Sequence, residues 1–385
     1  MQKWLFALVL TLLLGYGSQA QQLTDSTRLY LLTCAPGAEL FSKFGHSAIR
    51  AHDPTNGTDL VFNYGIFDFD TPNFYVKFIR GKLKYMLGVQ RTEVFLRSYE
   101  SEGRRIDQQE LILTGQETQR VIDFLRTNYK PENRYYLYDF FYDNCATRIR
   151  DVIEQEFDTS LDPPANYDPT KSFRQLLDEY IGNFPWADFG IDLILGMPAD
   201  EPADFRDEMF LPDYLSAHFA TTQFRGQSLT PVPEVIVPAR IDHLEPSGSI
   251  GPVWVFGVLA VVVILASLFG PAKLGKLLDS VFLLAAGLAG CLFAFMWMGT
   301  DHQATWQNLN LLWANPLWLF VLDGHYKWQR VLLGIACSTT AVALIGFPWL
   351  PQQLHPAILP IAILLLVRGI LRLRNWPKTD SPPIT

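Results

Sequence analysis

Tyr135-Tyr136-Leu137-Tyr138-Asp139-Phe140-Phe141-Tyr142-Asp143-Asn144-Cys145-Ala146-Thr147 is the stretch on which the fold of the non-membrane part of this chain turns. It changes from an aromatic, extended run into a helical pattern in which Ile149, Val152, Ile153 and Phe157 face one way. Asp143 or Asn144 is a natural N-cap. Cys145 then falls in the first helical turn, where unpaired amides and the helix dipole favour a thiolate. Asp139 and Asp143 oppose that shift, so the thiol needs a base.

The obvious base is His46 in Phe44-Gly45-His46-Ser47. Alternation over 47–51, a Pro54-Thr55-Asn56-Gly57 turn and alternation over 59–64 predict a hairpin with His46 at the beginning of its first strand. On the partner strand Asn63 shares a face with Val61 and can approach His46 across the ladder, whereas Leu60, Phe62 and Tyr64 share the other face. An imidazole takes a thiol proton near neutral pH and returns it to a leaving group. Amides at the helix start, with Asn144 capping them, can stabilise the oxyanion of a tetrahedral intermediate. Each signal alone has a plainer reading, since a lone Cys is usually packing and a lone His usually a hydrogen-bonded structural residue. A helix over 116–128, with Val121, Phe124 and Leu125 at helical spacing, reads as core without chemistry.

The chain has 385 residues, and its apolar residues concentrate beyond about Ser247, which separates a soluble part from a membrane part. At the start, Lys3, the apolar run 4–14 and Ser18-Gln19-Ala20 read as a signal peptide over 1–20; an uncleaved anchor is the alternative. The formal net charge of −8 and the scattering of basic residues among acids exclude an electrostatic nucleic-acid footprint. Four cysteines are too few for a disulfide framework, and Cys291 and Cys337 lie in apolar runs where they pack. A Cys34–Cys145 disulfide is the alternative to a nucleophilic Cys145. Cys34 lies too far beyond the apolar run to be a lipid-attachment site. Cys34, His46 and His52 are too irregularly spaced for zinc, and HExxH and CxxC patterns are absent, so no metal and no cofactor is expected.

Five apolar stretches, 251–270, 281–298, 309–322, 331–349 and 358–371, approach the length that crosses a bilayer. Lys273, Lys276, Lys327, Arg330, Arg368, Arg372, Arg374 and Lys378 fall in alternate connections or at the C-terminal end, while the connections 299–308 and 348–356 carry neither Lys nor Arg. Positive residues mark the cytoplasmic side, so the soluble part lies outside and the C-terminus inside. The outer connection Gly299-Thr300-Asp301-His302-Gln303-Ala304-Thr305-Trp306-Gln307-Asn308 reads either as an interfacial loop or as a contact for headgroup or acceptor through Asp301 and His302. Asn315-Pro316 should kink the third span. The apolar segment 186–200 reads as docking on the bundle, dipping into the outer leaflet, or packing in a core.

A His on a strand, a polar strand residue and a Cys opening a helix occur in the order found in circularly permuted papain-like folds, which this chain resembles. Tyr138 matches a tyrosine position in their lecithin:retinol acyltransferase branch, with an aromatic core residue as the plainer reading. Pro36-Gly37, Phe44-Gly45-His46, Asn63-Tyr64-Gly65-Ile66-Phe67-Asp68-Phe69, Asn144-Cys145-Ala146-Thr147 with Arg150-Asp151, and Thr300-Asp301-His302 with Asn315-Pro316 resemble the Lnb-type lipoprotein N-acyltransferases over nearly the whole chain.

The fold class implied by these resemblances is α+β: a circularly permuted papain-like periplasmic domain, NlpC-type and lecithin:retinol acyltransferase-like, followed by an all-α five-helix transmembrane bundle. The expected domains are 1–20 signal peptide, 21–230 catalytic domain, 231–250 linker, 251–375 transmembrane domain and 376–385 cytoplasmic tail. The resemblance implies that Cys145 takes an acyl chain from a membrane phospholipid as a thioester and passes it to the α-amine of a diacylglyceryl-cysteine lipoprotein. It puts the nucleophile on Cys145 and the histidine on His46; Asn63 enters on strand geometry alone. The protein would sit in the bacterial inner membrane with its catalytic domain in the periplasm. The alternatives are a papain-like hydrolase of cell-wall peptides or amides, against which five spans weigh, and a non-catalytic envelope protein.

Overall fold

The computed structural model describes residues 24–376 except 25, 159–160, 162, 165–166, 246–247 and 323–325. The expected signal peptide and nearly all of the C-terminal tail lie outside the described residues. In order, the elements are β1 (Arg28–Cys34), β2 (His46–Asp53), β3 (Thr58–Ile66), α1 (Phe74–Ile79), β4 (Lys84–Arg91), α2 (Thr92–Ser101), β5 (Ile106–Glu110), α3 (Gly115–Tyr129), β6 (Tyr135–Leu137) and α4 (Cys145–Phe157). They continue as α5 (Phe173–Ile181), α6 (Pro185–Ile194), α7 (Phe205–Glu208), α8 (Pro212–Thr221), β7 (Gln223–Phe224), β8 (Gln227–Ser228) and β9 (Glu234–Val237). The apolar third holds α9 (Pro252–Phe269), α10 (Ala272–Met298), α11 (Lys327–Gly346) and α12 (Ile358–Arg374).

An antiparallel sheet in the order β6-β4-β3-β2-β1-β5-β9 organises the soluble part. The expected hairpin is β2–β3, with Ile49 opposite Phe62 and Asp53 opposite Thr58. Alternation splits the apolar residues between two faces. Leu29, Leu31, Ile49, Ala51, Phe62 and Tyr64 meet Val121, Leu125, Ile149, Val152 and Ile153 of α3 and α4. Leu32, Cys34, Ala48 and Val61 meet Phe95 of α2 on the other face. The helix expected over 116–128 is α3, opened by Thr114 and Glu117 as a capping box. Within the stretch read as a linker, Glu234–Val237 pairs with β5 as the edge strand β9.

Three of the apolar helices, over Pro252–Phe269, Lys273–Met298 and Lys327–Gly346, are long and apolar enough to cross a membrane, and α12 is one residue shorter than the first. The stretch 309–322, expected to be a kinked transmembrane helix, departs from that. It forms two 3₁₀ segments, Leu309–Leu312 and Pro316–Val321. Asn315 accounts for the break: its Oδ1 accepts from Leu317 N–H and its Nδ2 donates to Thr339 Oγ1, ahead of a proline that has no N–H to give. The stretch still runs between opposite ends of the bundle. Leu309 N–H donates to Gln352 in the connection free of Lys and Arg, and Leu322 O accepts from Arg372 near the basic end of α12. At that basic end Asp279 of α10 pairs with Arg368 and Arg372, so the lysines opening α10 and the arginines closing α12 share one side.

The segment 186–200 docks on the bundle. Phe189 of α6 belongs to the same buried cluster as Phe293, Trp313, Trp318 and Leu333. The α6 end is held by Asn308 Nδ2 donating to Leu193 O, Asn310 Nδ2 to Asp192 O, and Gln352 Nε2 to Leu195 O. Gly196 N–H donates to Ala304 O, and any Cβ on Gly196 would overlap Trp306 O at 1.8 Å.

Candidate active site

Asn144 is the N-cap of α4, and every polar atom of its side chain is occupied. Its Oδ1 accepts from Ala146 N–H at 2.8 Å and Thr147 N–H at 3.0 Å, while Nδ2 donates to Phe140 O and Phe210 O, both at 2.8 Å. Thr147 Oγ1 accepts from Asn144 N–H in return. Asn144 therefore positions the helix start and has no group left for substrate. Cys145 follows at the first helical position, 8% exposed, with a free thiol.

His46 opens β2 opposite Cys34. Its Nε2 lies 2.6 Å from Asn63 Oδ1, and a carbonyl oxygen only accepts, so Nε2 carries the proton and Nδ1 is left for the thiol. The imidazole is hydrogen-bonded to Cys145. The three residues read from the sequence thus meet as a relay Cys145–His46–Asn63. Burial pushes the Cys145 thiol up, but the charged imidazole, its hydrogen bond and the backbone N–H groups of Ser47 and Ala146 outweigh burial and hold the thiol below its ordinary range. Burial likewise pushes His46 down, and the facing thiolate with the bonds to Cys145 and Asn63 raises it above its ordinary value. The charged form of each group thus stabilises that of the other.

Asp143, expected to oppose the thiolate, is neutralised by Arg148 through contacts of 2.5 and 2.6 Å. The Asp139 carboxylate caps the following turn by accepting from Phe141 and Tyr142 N–H. Tyr138 stacks on Tyr85 with centroids 4.4 Å apart, and burial, then the Cys145 thiolate, push its phenol well above the usual range, so it stays protonated.

Several contributors escaped the sequence reading. β3 bulges between Asn63 and Ile66, and Gly65 at φ +89° occupies the bulge. A Cβ there would stand 3.7 Å from Cys145 Cβ and 3.8 Å from His46 Cε1, so the glycine forms the wall of the site. Tyr99 of α2 lies parallel to the His46 ring at 6.4 Å and hydrogen-bonds Cys34. Cys34 belongs to the apolar cluster on the α2 face, and it is a free thiol like Cys145. The helical spacing of Phe95 and Tyr99 was the available signal.

Asp301 and His302 face the soluble part. Asp301 N–H donates to Arg80 O at 3.0 Å, its carboxylate pairs with Lys82 at 3.1 Å, and His302 Nε2 lies 3.0 Å from Phe78 O. Among the described residues, Asp188, Asp192 and His355 bring ligand-type atoms within 4.8 Å of one another. Arg174 already donates to Asp192 at 2.5 Å and His355 Nδ1 accepts from Ala357 N–H, so the group reads as a polar clasp where α6 meets the bundle.

Residues 18–179 match the model of the Lnb N-terminal periplasmic domain, and residues 244–378 match that of the Lnb transmembrane domain. No curated protein and no solved structure matches the chain.

Proposed function

Because the chain belongs to the Lnb family, with both domains in order, we propose that it is a cysteine-dependent lipoprotein N-acyltransferase of the bacterial inner membrane. Its soluble part is a permuted papain-like domain in the periplasm, and its C-terminus is cytoplasmic. The domain limits are those expected above, with β9 closing the catalytic sheet. The observation that carries this reading is the hydrogen-bonded Cys145–His46–Asn63 relay in a domain clasped to an apolar bundle.

The Cys145 thiolate attacks the ester carbonyl of a membrane phospholipid. The oxyanion sits at the start of α4, where the dipole and the Cys145 N–H favour it and the protonated Tyr138 phenol is a second donor. His46 gives its proton to the departing glycerol oxygen, which leaves a lysophospholipid and a thioester on Cys145. The free α-amine of a diacylglyceryl lipoprotein then attacks the thioester. His46 takes a proton from that nitrogen, the amide forms, and the thiolate departs. Asn63 holds the imidazole ring, and Asn144 holds the helix. A thioester suits the task because it reacts readily with amines in a site that excludes water. Asp301 and His302 shape the outer rim where both substrates arrive.

The acyl-enzyme gives the direct test. Purified protein mixed with phospholipid alone should gain the mass of one acyl chain on the peptide bearing Cys145, released by neutral hydroxylamine. Cys145→Ser should gain no hydroxylamine-labile mass. Acyl mass on another residue, or none in the wild type, would overturn the mechanism.

A further inference from the structure

The chain leaves an unusually apolar surface at α1 and just before it. α1 buries Phe74 but exposes Tyr75, Val76, Phe78 and Ile79 by 74, 57, 49 and 46%, and Phe69 just before it is 65% exposed. A soluble domain seldom shows such a patch unless something covers it.

The position of α1 identifies the cover. Phe78 O, Arg80 O and Lys82 are bound by His302 and Asp301, and the Gly81 backbone packs on Asp301. These two residues closely follow the end of α10, a helix long and apolar enough to cross a membrane. The exposed Trp297 and Met298 close that helix, so the apolar face of α1 continues the lipid-facing surface. Lys77, Arg80, Lys82 and Lys84 lie among and just beyond the apolar side chains, the mixture that suits phosphate headgroups above acyl chains.

We propose that α1 and Phe69 are seated in the outer leaflet, with the apolar side chains among the upper acyl chains and the basic ones at the phosphates. An aromatic track joins this seat to the thiol. Phe67 contacts Phe69, Phe74 and Tyr85 at 5.0, 5.9 and 5.2 Å, and Tyr85 stacks on Tyr138 beside Cys145. β3 runs from the Gly65 wall of the site directly into this track. The seat stands independently of the acyl-transfer reading, because its test records lipid contact alone.

The full chain, carrying Cys145→Ser and Cys291→Ser, is reconstituted in phosphatidylglycerol and phosphatidylcholine vesicles. An environment-sensitive fluorophore is attached at Tyr75→Cys, Val76→Cys or, as reference, Thr55→Cys in the exposed turn at the far end of the β2–β3 hairpin. Lipids with a nitroxide near the headgroup should quench positions 75 and 76 severalfold more than position 55, with blue-shifted emission. Equal quenching at all three positions, or stronger quenching of 75 and 76 by a water-soluble agent than by the lipids, would overturn the proposal.

Discussion

A buried thiol is ordinarily a poor nucleophile, because burial alone disfavours its anion. Here His46 and two backbone amides reverse that effect. Cys145 is held below its ordinary range and His46 above its own, because the charged form of each stabilises the other. Alkylation of Cys145 by iodoacetamide should therefore remain fast below the usual thiol range and fall only as acid protonates the thiolate. In His46→Ala burial is opposed only by the Ser47 and Ala146 amides, so that acid limb should move upward; an unmoved limb would mean that the imidazole does not stabilise the thiolate. Acyl transfer should show a second, alkaline limb as His46 loses the proton it gives to the leaving oxygen. Turnover should fall about 10²–10⁴-fold in His46→Ala, and about 10–100-fold in Asn63→Ala, which loses one hydrogen bond to a charged ring. These three residues were legible because each depends on local pattern: a cap, a strand parity and a residue type. The Ser47 amide and the Tyr99 ring were not, since their roles depend on which groups face the thiol once α4 and α2 are packed.

At the element scale, the site depends on an irregular strand and a capped helix. Gly65→Ala should cost about 1–2 kcal/mol through its positive φ, and its new methyl group meets both Cys145 and His46. Activity should fall further than thermal stability does, and equal losses would assign Gly65 to folding alone. Asn144→Asp keeps the capping oxygen but turns an acceptor toward Phe140 O and Phe210 O, where the amide had donated. The melting temperature should drop despite the conserved cap, and Asn144→Ala should cost about 0.5–2 kcal/mol in capping alone. The bulge at Gly65 was hidden in sequence because it arises from pairing with β4, and β9 because its partner β5 is remote in the chain. The stretch 309–322 was legible as apolar, with a kink expected at Asn315-Pro316. Its 3₁₀ form was not, since it depends on Thr339 and Gln352 accepting from Asn315 and Leu309 and on Gln329 donating to Phe320 O.

For the whole molecule, the proposed chemistry on lipids needs the soluble part tied to the apolar bundle, and the contacts of α6 and the 299–308 loop tie the two together. Lys82 and Asp301 are close enough for a zero-length carbodiimide cross-link in the wild type. Gly196→Ala, whose methyl would overlap Trp306 O, should reduce that cross-link and acyl transfer together. An undiminished cross-link would show that the clasp tolerates the change. Periodicity and Lys/Arg placement exposed the two-part organisation, but docking of 186–200 on the bundle depends on bonds that composition does not encode. Under the proposed function, Cys145 carries an acyl chain to a lipoprotein amine. That transfer is tested most directly by the mass of a mature lipoprotein's N-terminal lipopeptide from cells lacking this protein, re-supplied with the wild-type chain or with Cys145→Ser. The account predicts one additional amide-linked acyl chain with the wild type and none with Cys145→Ser; an unchanged lipopeptide in both, or acylation by both, would contradict it.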